Sequence, residues 1–129
     1  MRIVGLGLDA TEVPRIAAML DQYGDRFRHR VYTAGEIAYC DAKEKRGAAA
    51  SYAARFAAKE AVSKAFGTGI GASLGWLDIE VRRKASGEPF VILHGEGAKT
   101  AARLGILELR LTLSHSDHYA VAHALALGE

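Results

Sequence analysis

Cysteine, proline, net charge and long apolar runs are all scarce in this chain, and each scarcity closes a class of explanation. A single cysteine, Cys40, in 129 residues leaves no internal disulfide and points to a reducing compartment, so a cytoplasmic protein is expected. The formal net charge of +2 is too small to call for a nucleic-acid partner. No apolar stretch approaches a membrane span, and the opening MRIVGLGLDA lacks the long apolar region of a signal peptide, so no membrane partner is expected. Gly5 and Gly7 are without the third glycine of a dinucleotide fingerprint, which removes a Rossmann reading. The glycine-rich GTGIG follows a helical stretch instead of preceding one and carries no GK[ST], so a nucleoside triphosphatase does not fit either.

What is present is the balance of one soluble domain, residues 1–129, with 50% hydrophobic and 25% charged residues. A chain of this size gains from oligomerisation. Residues 2–9 read as a buried strand ending in Asp9, with Gly5 and Gly7 leaving one face bare for another backbone or a ligand. A helix is expected from Thr11 to about Tyr23, capped by Asp9 or Thr11, with Pro14 in its first turn and Gly24 as its stop. A short helical turn follows at Phe27–Val31. Thr33-Ala-Gly-Glu36 is a capping box opening a helix to about Cys40. Gly47 launches a central helix ending at Phe66. Trp76–Arg83 and Pro89–Leu93 form a hairpin, Glu96–Leu104 a helix, and Ile106–Leu113 and Tyr119–Leu127 two further strands. The order, βααα then ββαββ, is α+β, with a mostly antiparallel sheet packed by helices.

The most informative stretch is Arg55–Gly71, RFAAKEAVSKAFGTGIG. Phe56, Glu60 and Lys64 share one helix face, Lys59 and Ser63 the adjacent stripe, and alanine lets neighbouring backbone come close. Glu60 and Lys64 form an ordinary i,i+4 pair, worth about 0.3–0.5 kcal/mol, unless Glu60 holds a metal and the lysines neutralise phosphate. The second reading gains from two further polar clusters: Asp9 at a strand end, and Ser114 with His115 in the last turn. Two carboxylates on separate elements, without a cysteine–histidine pattern, suit Mg²⁺ better than zinc. Phosphate near the Gly67-Thr68-Gly69 turn would be met by Lys64, the metal and exposed loop amides, because the helix end there is partly negative. Asp25–Arg30 and Val81–Lys84 are basic clusters, either solvated surface or docking sites for an acidic partner or phosphates.

GLGLD-x-x-E, FAAKEA-x-x-KA-x-GTG and LSHS-x-x-YA-x-A, in this order, closely resemble holo-[acyl-carrier-protein] synthase, the small type of 4′-phosphopantetheinyl transferase. Lesser matches at Arg30-Val-Tyr-Thr with Glu36, Asp78-Ile-Glu-Val and Gly87-Glu-Pro extend the resemblance over the whole chain. His118, Thr112 and His123 depart from the pattern without touching the three clusters. The resemblance implies transfer of the phosphopantetheine arm of coenzyme A to a serine of an acyl carrier protein, releasing adenosine 3′,5′-bisphosphate, in support of fatty-acid biosynthesis. Polyketide or peptide carriers are alternative clients, and a non-catalytic binding module the alternative class. Asp9 and Glu60 would hold Mg²⁺, Lys64 would offset phosphate charge, and Glu60 or His115 would take the serine proton. By the same resemblance coenzyme A would meet Ser114 and His115, Arg46 and Arg55 at the 3′-phosphate, and the Lys84–Pro89 turn at the adenine. Arg15, Arg26 and Arg28 would dock the acidic carrier, and a homotrimer with sites between subunits is expected.

Overall fold

Strand β1 (Arg2–Glu12) enters first and is followed by four helices, α1 (Val13–Tyr23), α2 (Asp25–Val31), α3 (Ala34–Asp41) and α4 (Lys45–Phe66). A 3-10 turn, Trp76–Asp78, leads into β2 (Ile79–Arg83) and β3 (Pro89–Leu93), then α5 (Gly95–Leu104), β4 (Glu108–His115) and β5 (Tyr119–Gly128). This is the arrangement of a computed structural model that describes residues 1–129. The pairing is antiparallel throughout, in a three-stranded sheet ordered β1-β5-β4 and a separate β2-β3 hairpin. The α+β expectation holds, with the strands divided between two sheets.

The 22-residue helix α4 lies across one face of the larger sheet. Alternation puts Ala120, Ala122, Ala124 and Ala126 of β5 on that face, each fully buried. The bare faces of Gly5 and Gly7 are filled by helix backbone: a Cβ on Gly5 would stand 1.9 Å from the Ala65 carbonyl oxygen, and one on Gly7 1.7 Å from that of Ala61. Glycine on the strand and alanine on the helix are therefore two halves of one close contact. A second apolar cluster, with Phe27, Tyr32, Tyr52 and Phe56, joins α1–α3 to the first half of α4.

Several expected boundaries move. β1 runs through Asp9 to Glu12 because Thr11 and Glu12 pair with Ala120 and Tyr119 of β5. The ladder satisfies this backbone, so α1 begins at Val13 without a side-chain cap, and Asp9 and Thr11 are strand residues. Phe27–Val31 belongs to a true helix opening at Asp25. α4 starts at Lys45, ahead of Gly47, and ends at a left-handed Gly67 as its C′ position predicts. Trp76–Asp78 turns instead of extending, and β4 starts at Glu108 and continues to His115. The Thr33–Glu36 capping box forms, with Thr33 Oγ1 accepting from the Glu36 amide and Glu36 Oε1 from the Thr33 amide.

Candidate active site

The close approach at Gly7 decides where Asp9 falls. One strand repeat beyond the contact with Ala61, its side chain emerges beside the next exposed residues of α4. Lys64 Nζ donates to the Leu8 carbonyl at 2.8 Å and to Asp9 Oδ1 at 3.3 Å, while Thr11 Oγ1 donates to Asp9 Oδ2 at 2.7 Å. Lys64 thus pairs with Asp9 across 55 residues of sequence, and the local i,i+4 pair with Glu60 does not form.

Half-buried Glu60 is left without an ion-pair partner within 4.0 Å. Loss of solvent and then the Asp9 charge push its carboxyl above the usual range, against the opposing pull of Lys64 and Arg15. Two neighbouring carboxylates, both partly buried, are the donor type that a hard oxygen-seeking cation takes. No group of three or more His, Cys, Asp and Glu side chains assembles anywhere in the chain. Magnesium needs only one or two protein carboxylates and takes its other ligands from water and phosphate, so Asp9 and Glu60 fit it.

The other candidate residues are dispersed. His115 ends β4 opposite Ala120 of β5, whereas Asp9 is on β1, two strand spacings away or about 10 Å across the sheet. Ser114 alternates to the opposite face. Arg46 reaches the same turn through Asp117, at 2.7 Å. Gly67, Thr68 and Gly69 are exposed beside Lys64, but the Gly67 and Gly69 amides are bonded to the carbonyls of Lys64 and Ser63, so these two are not the free donors expected. The Lys84–Pro89 turn borders a cavity with Glu108–Leu111 of β4, which places it at the sheet edge opposite Asp9. Arg55 is 2% exposed, bonded to Ser51 and stacked 4.1 Å from the Tyr39 ring, with its Nε unpartnered. Within the single chain it is a core cation, not an open phosphate ligand.

The expected basic face also divides. Arg15 and Arg26, joined by Arg30, rim a groove of about 510 Å³ that contains Glu60 and is floored by Phe27, Phe56 and Trp76. Phe56 stacks on Trp76 at 5.0 Å, and Arg15 lies 5.6 Å over the Phe56 ring. Arg28 does not share this face. It sits over Tyr52, 3.7 Å from both Asp25 and Asp41, in a separate cleft. One helical turn sends α2 side chains to both clefts, and the run DRFRHR carries no sign of which arginine faces which.

Lys59 departs furthest from expectation. It is fully buried, 2.8 Å from Glu36 Oε1, and donates to the carbonyls of Trp76 and Ile79. Glu36 Oε2 in turn accepts from the Val81 amide at 2.8 Å. Burial pulls Lys59 below the usual lysine range, with Glu36 opposing. This lysine neutralises no phosphate; it ties α4 to α3 and β2. Sequence reading placed Arg30 in a basic cluster, Trp76 at a strand start and Glu36 in a capping box. It missed that the first two line the groove with Glu60 and that the third holds Lys59. The one available signal was a lysine among the alanines of α4.

With this geometry, comparison with known proteins agrees in one direction. The sequence profile of the 4′-phosphopantetheinyl transferase superfamily matches residues 5–124. The holo-[acyl-carrier-protein] synthase of Koribacter versatilis is 46% identical over 123 residues, 95% of this chain and 97% of that protein. Among solved structures, the holo-[acyl-carrier-protein] synthase of Neisseria meningitidis superposes with a TM-score of 0.90 at 29% identity, covering 98% of this chain and 99% of that one. The Bacillus anthracis synthase, solved in complex with CoA (3′,5′-ADP), gives 0.83 at 37% identity with 98% of each chain covered.

Proposed function

Because the chain belongs to the 4′-phosphopantetheinyl transferase superfamily as a holo-[acyl-carrier-protein] synthase, we propose that Asp9, Glu60 and Lys64 handle the pyrophosphate of coenzyme A while a carrier serine attacks it. The reaction forms a bond from the serine oxygen to the β-phosphorus and breaks that phosphorus's bond to the bridging oxygen, releasing adenosine 3′,5′-bisphosphate. The observation that carries the reading is the Asp9–Lys64 pair beside an under-compensated Glu60, at the mouth of an arginine-rimmed aromatic groove. Asp9 and Glu60 would hold Mg²⁺, which when bound supplies charge neutralisation at the pyrophosphate oxygens. Lys64 adds a positive charge at the same oxygens. Glu60 takes the serine proton in this reading, since it lines the groove. His115, with Arg46, is assigned to the nucleotide.

The decisive experiment is the intact mass of apo acyl carrier protein after incubation with the protein, coenzyme A and Mg²⁺. A gain equal to phosphopantetheine is expected, and no gain with fatty-acid, polyketide or peptide carriers would overturn the reading. A role in fatty-acid biosynthesis would follow from preference for the fatty-acid carrier.

Assembly into a homotrimer is part of this proposal. Asp9 lies on one edge strand of the sheet, with Glu60 of α4 beside it, and the Lys84–Pro89 turn at the other edge, so a coenzyme A bound between copies would touch both where the β1 edge of one copy meets the β4 edge of the next. Such a head-to-tail contact closes into a ring when the rotation between successive copies closes. The sheet face away from α4 supports it, with Ile3 62%, Leu6 58% and Leu8 61% exposed.

Charge reversal at Arg15 or Arg26 is expected to raise the KM for carrier protein on the order of tenfold at low salt, and to flatten its salt dependence. The KM for coenzyme A should stay within twofold or so of wild type. Arg28→Glu should leave carrier KM largely unchanged and lower stability instead, because its partners are Asp25 and Asp41. Steady-state kinetics with each substrate varied would decide it. Equal rises in both KM values for Arg15→Glu would remove the docking assignment.

A further inference from the structure

Resting on the reading that copies of this chain meet through the bare face of the β1-β5-β4 sheet, we propose that His123 makes the assembly proton-sensitive. The oligomer forms with neutral imidazoles and comes apart as they charge. β5 is the central strand, and His123 lies midway along it, opposite Leu8 on β1 and Thr112 on β4. Its same-face neighbours along β5 are Val121 and Leu125. Exposed in the isolated chain, His123 is thus a titratable group at the centre of a face that is apolar along β1 and β5 and polar along β4. A ring of copies closing on this face turns its centre toward the symmetry axis, where water is excluded and symmetry-related imidazoles approach one another.

Nothing on this face compensates an imidazolium. Arg110 stands opposite Leu125, two residues along, and is held by Glu108 at 3.3 Å. Glu108 is opposite Leu127 and Glu12 opposite Tyr119, each four residues from His123 or about 13 Å along the strand. Arg2 sits at the far end, opposite Gly128. Asp9, aligned with Ala122, projects from the other face together with Glu60 and Lys64, and His115 is on that face too. The nearest charge is therefore positive.

Enclosing an imidazole away from water favours its neutral form. As the imidazoles charge on acidification, association weakens by up to about tenfold per pH unit for each one that must shed its proton on assembly. The test is light-scattering mass after size exclusion at low micromolar protein, at about pH 8 and about pH 5.5, with far-ultraviolet circular dichroism to confirm folding. Wild type should be trimeric at the higher pH and lose that mass at the lower with its spectrum intact, while His123→Leu stays trimeric at both. The uncharged, polar His123→Gln gives the same comparison should the leucine variant not fold. Wild-type mass that does not change with pH, or variants that dissociate together with wild type, would overturn the proposal. A wild-type protein that is not trimeric at pH 8 would instead sink the assembly reading beneath it, and leave the transfer assay on carrier protein unaffected.

Discussion

Glu60→Gln should lower turnover by at least about 10²–10³ while raising the melting temperature of the metal-free protein. The two effects have one cause. Glu60 stands in a place that disfavours its charge, through lost solvent first and Asp9 second. Its folded pKa therefore lies above its unfolded one, so the ionised carboxylate works against folding above that folded value, and the penalty disappears as pH falls through it. Glutamine removes the penalty at neutral pH. The advantage of the variant over wild type in calorimetry without Mg²⁺ should accordingly shrink as the buffer is made acidic. Turnover should not recover with excess Mg²⁺, because glutamine carries no charge with which to hold the ion or take a proton. Near-wild-type turnover at limiting Mg²⁺ would end the assignment, and a lower melting temperature would mean that the carboxylate supports the fold.

Lys59→Met should be the most destabilising single change, by about 3–5 kcal/mol, because it leaves Glu36 ionised and fully buried without its cation. The Trp76 and Ile79 carbonyls lose their donor at the same time. Adding Glu36→Gln to Lys59→Met should recover part of the loss, since the uncompensated charge is then gone while the acceptor for the Thr33 and Val81 amides is kept on one oxygen only. Urea midpoints of the two variants and wild type give the comparison. A loss below about 1 kcal/mol for Lys59→Met would show that the buried pair contributes no more than a surface one.

How much of this was legible depends on the range of the interaction concerned. α4 and its end at Gly67 and the Thr33–Glu36 box follow from contacts within four or five residues, and the β2-β3 hairpin from pairs at most fourteen apart, so they could be read directly from spacing. The strand glycines announced a close approach, and Ala61 and Ala65 turned out to be what approaches. The limits of β1 were misread because its last residues choose between capping a helix and pairing with β5, and the partner is more than 100 residues away. The three site motifs, likewise, were recognisable as patterns long before their geometry was known.

Sequence alone therefore determined the α+β class, the family, and which residue types were available for phosphate chemistry. Tertiary structure alone decided how each charge is used. Three lysine and arginine side chains of the same neighbourhood in sequence end in three different states: Arg55 under Tyr39, Lys59 buried against Glu36, and Lys64 open beside Asp9. Arg28 and Arg26, two residues apart, face different clefts. The physical reason is that a long cationic side chain has almost the same local preferences wherever it stands on a helix. Whether its charge is spent on the fold or left for a ligand depends on which carboxylate or carbonyl distant chain brings within about 3 Å of it.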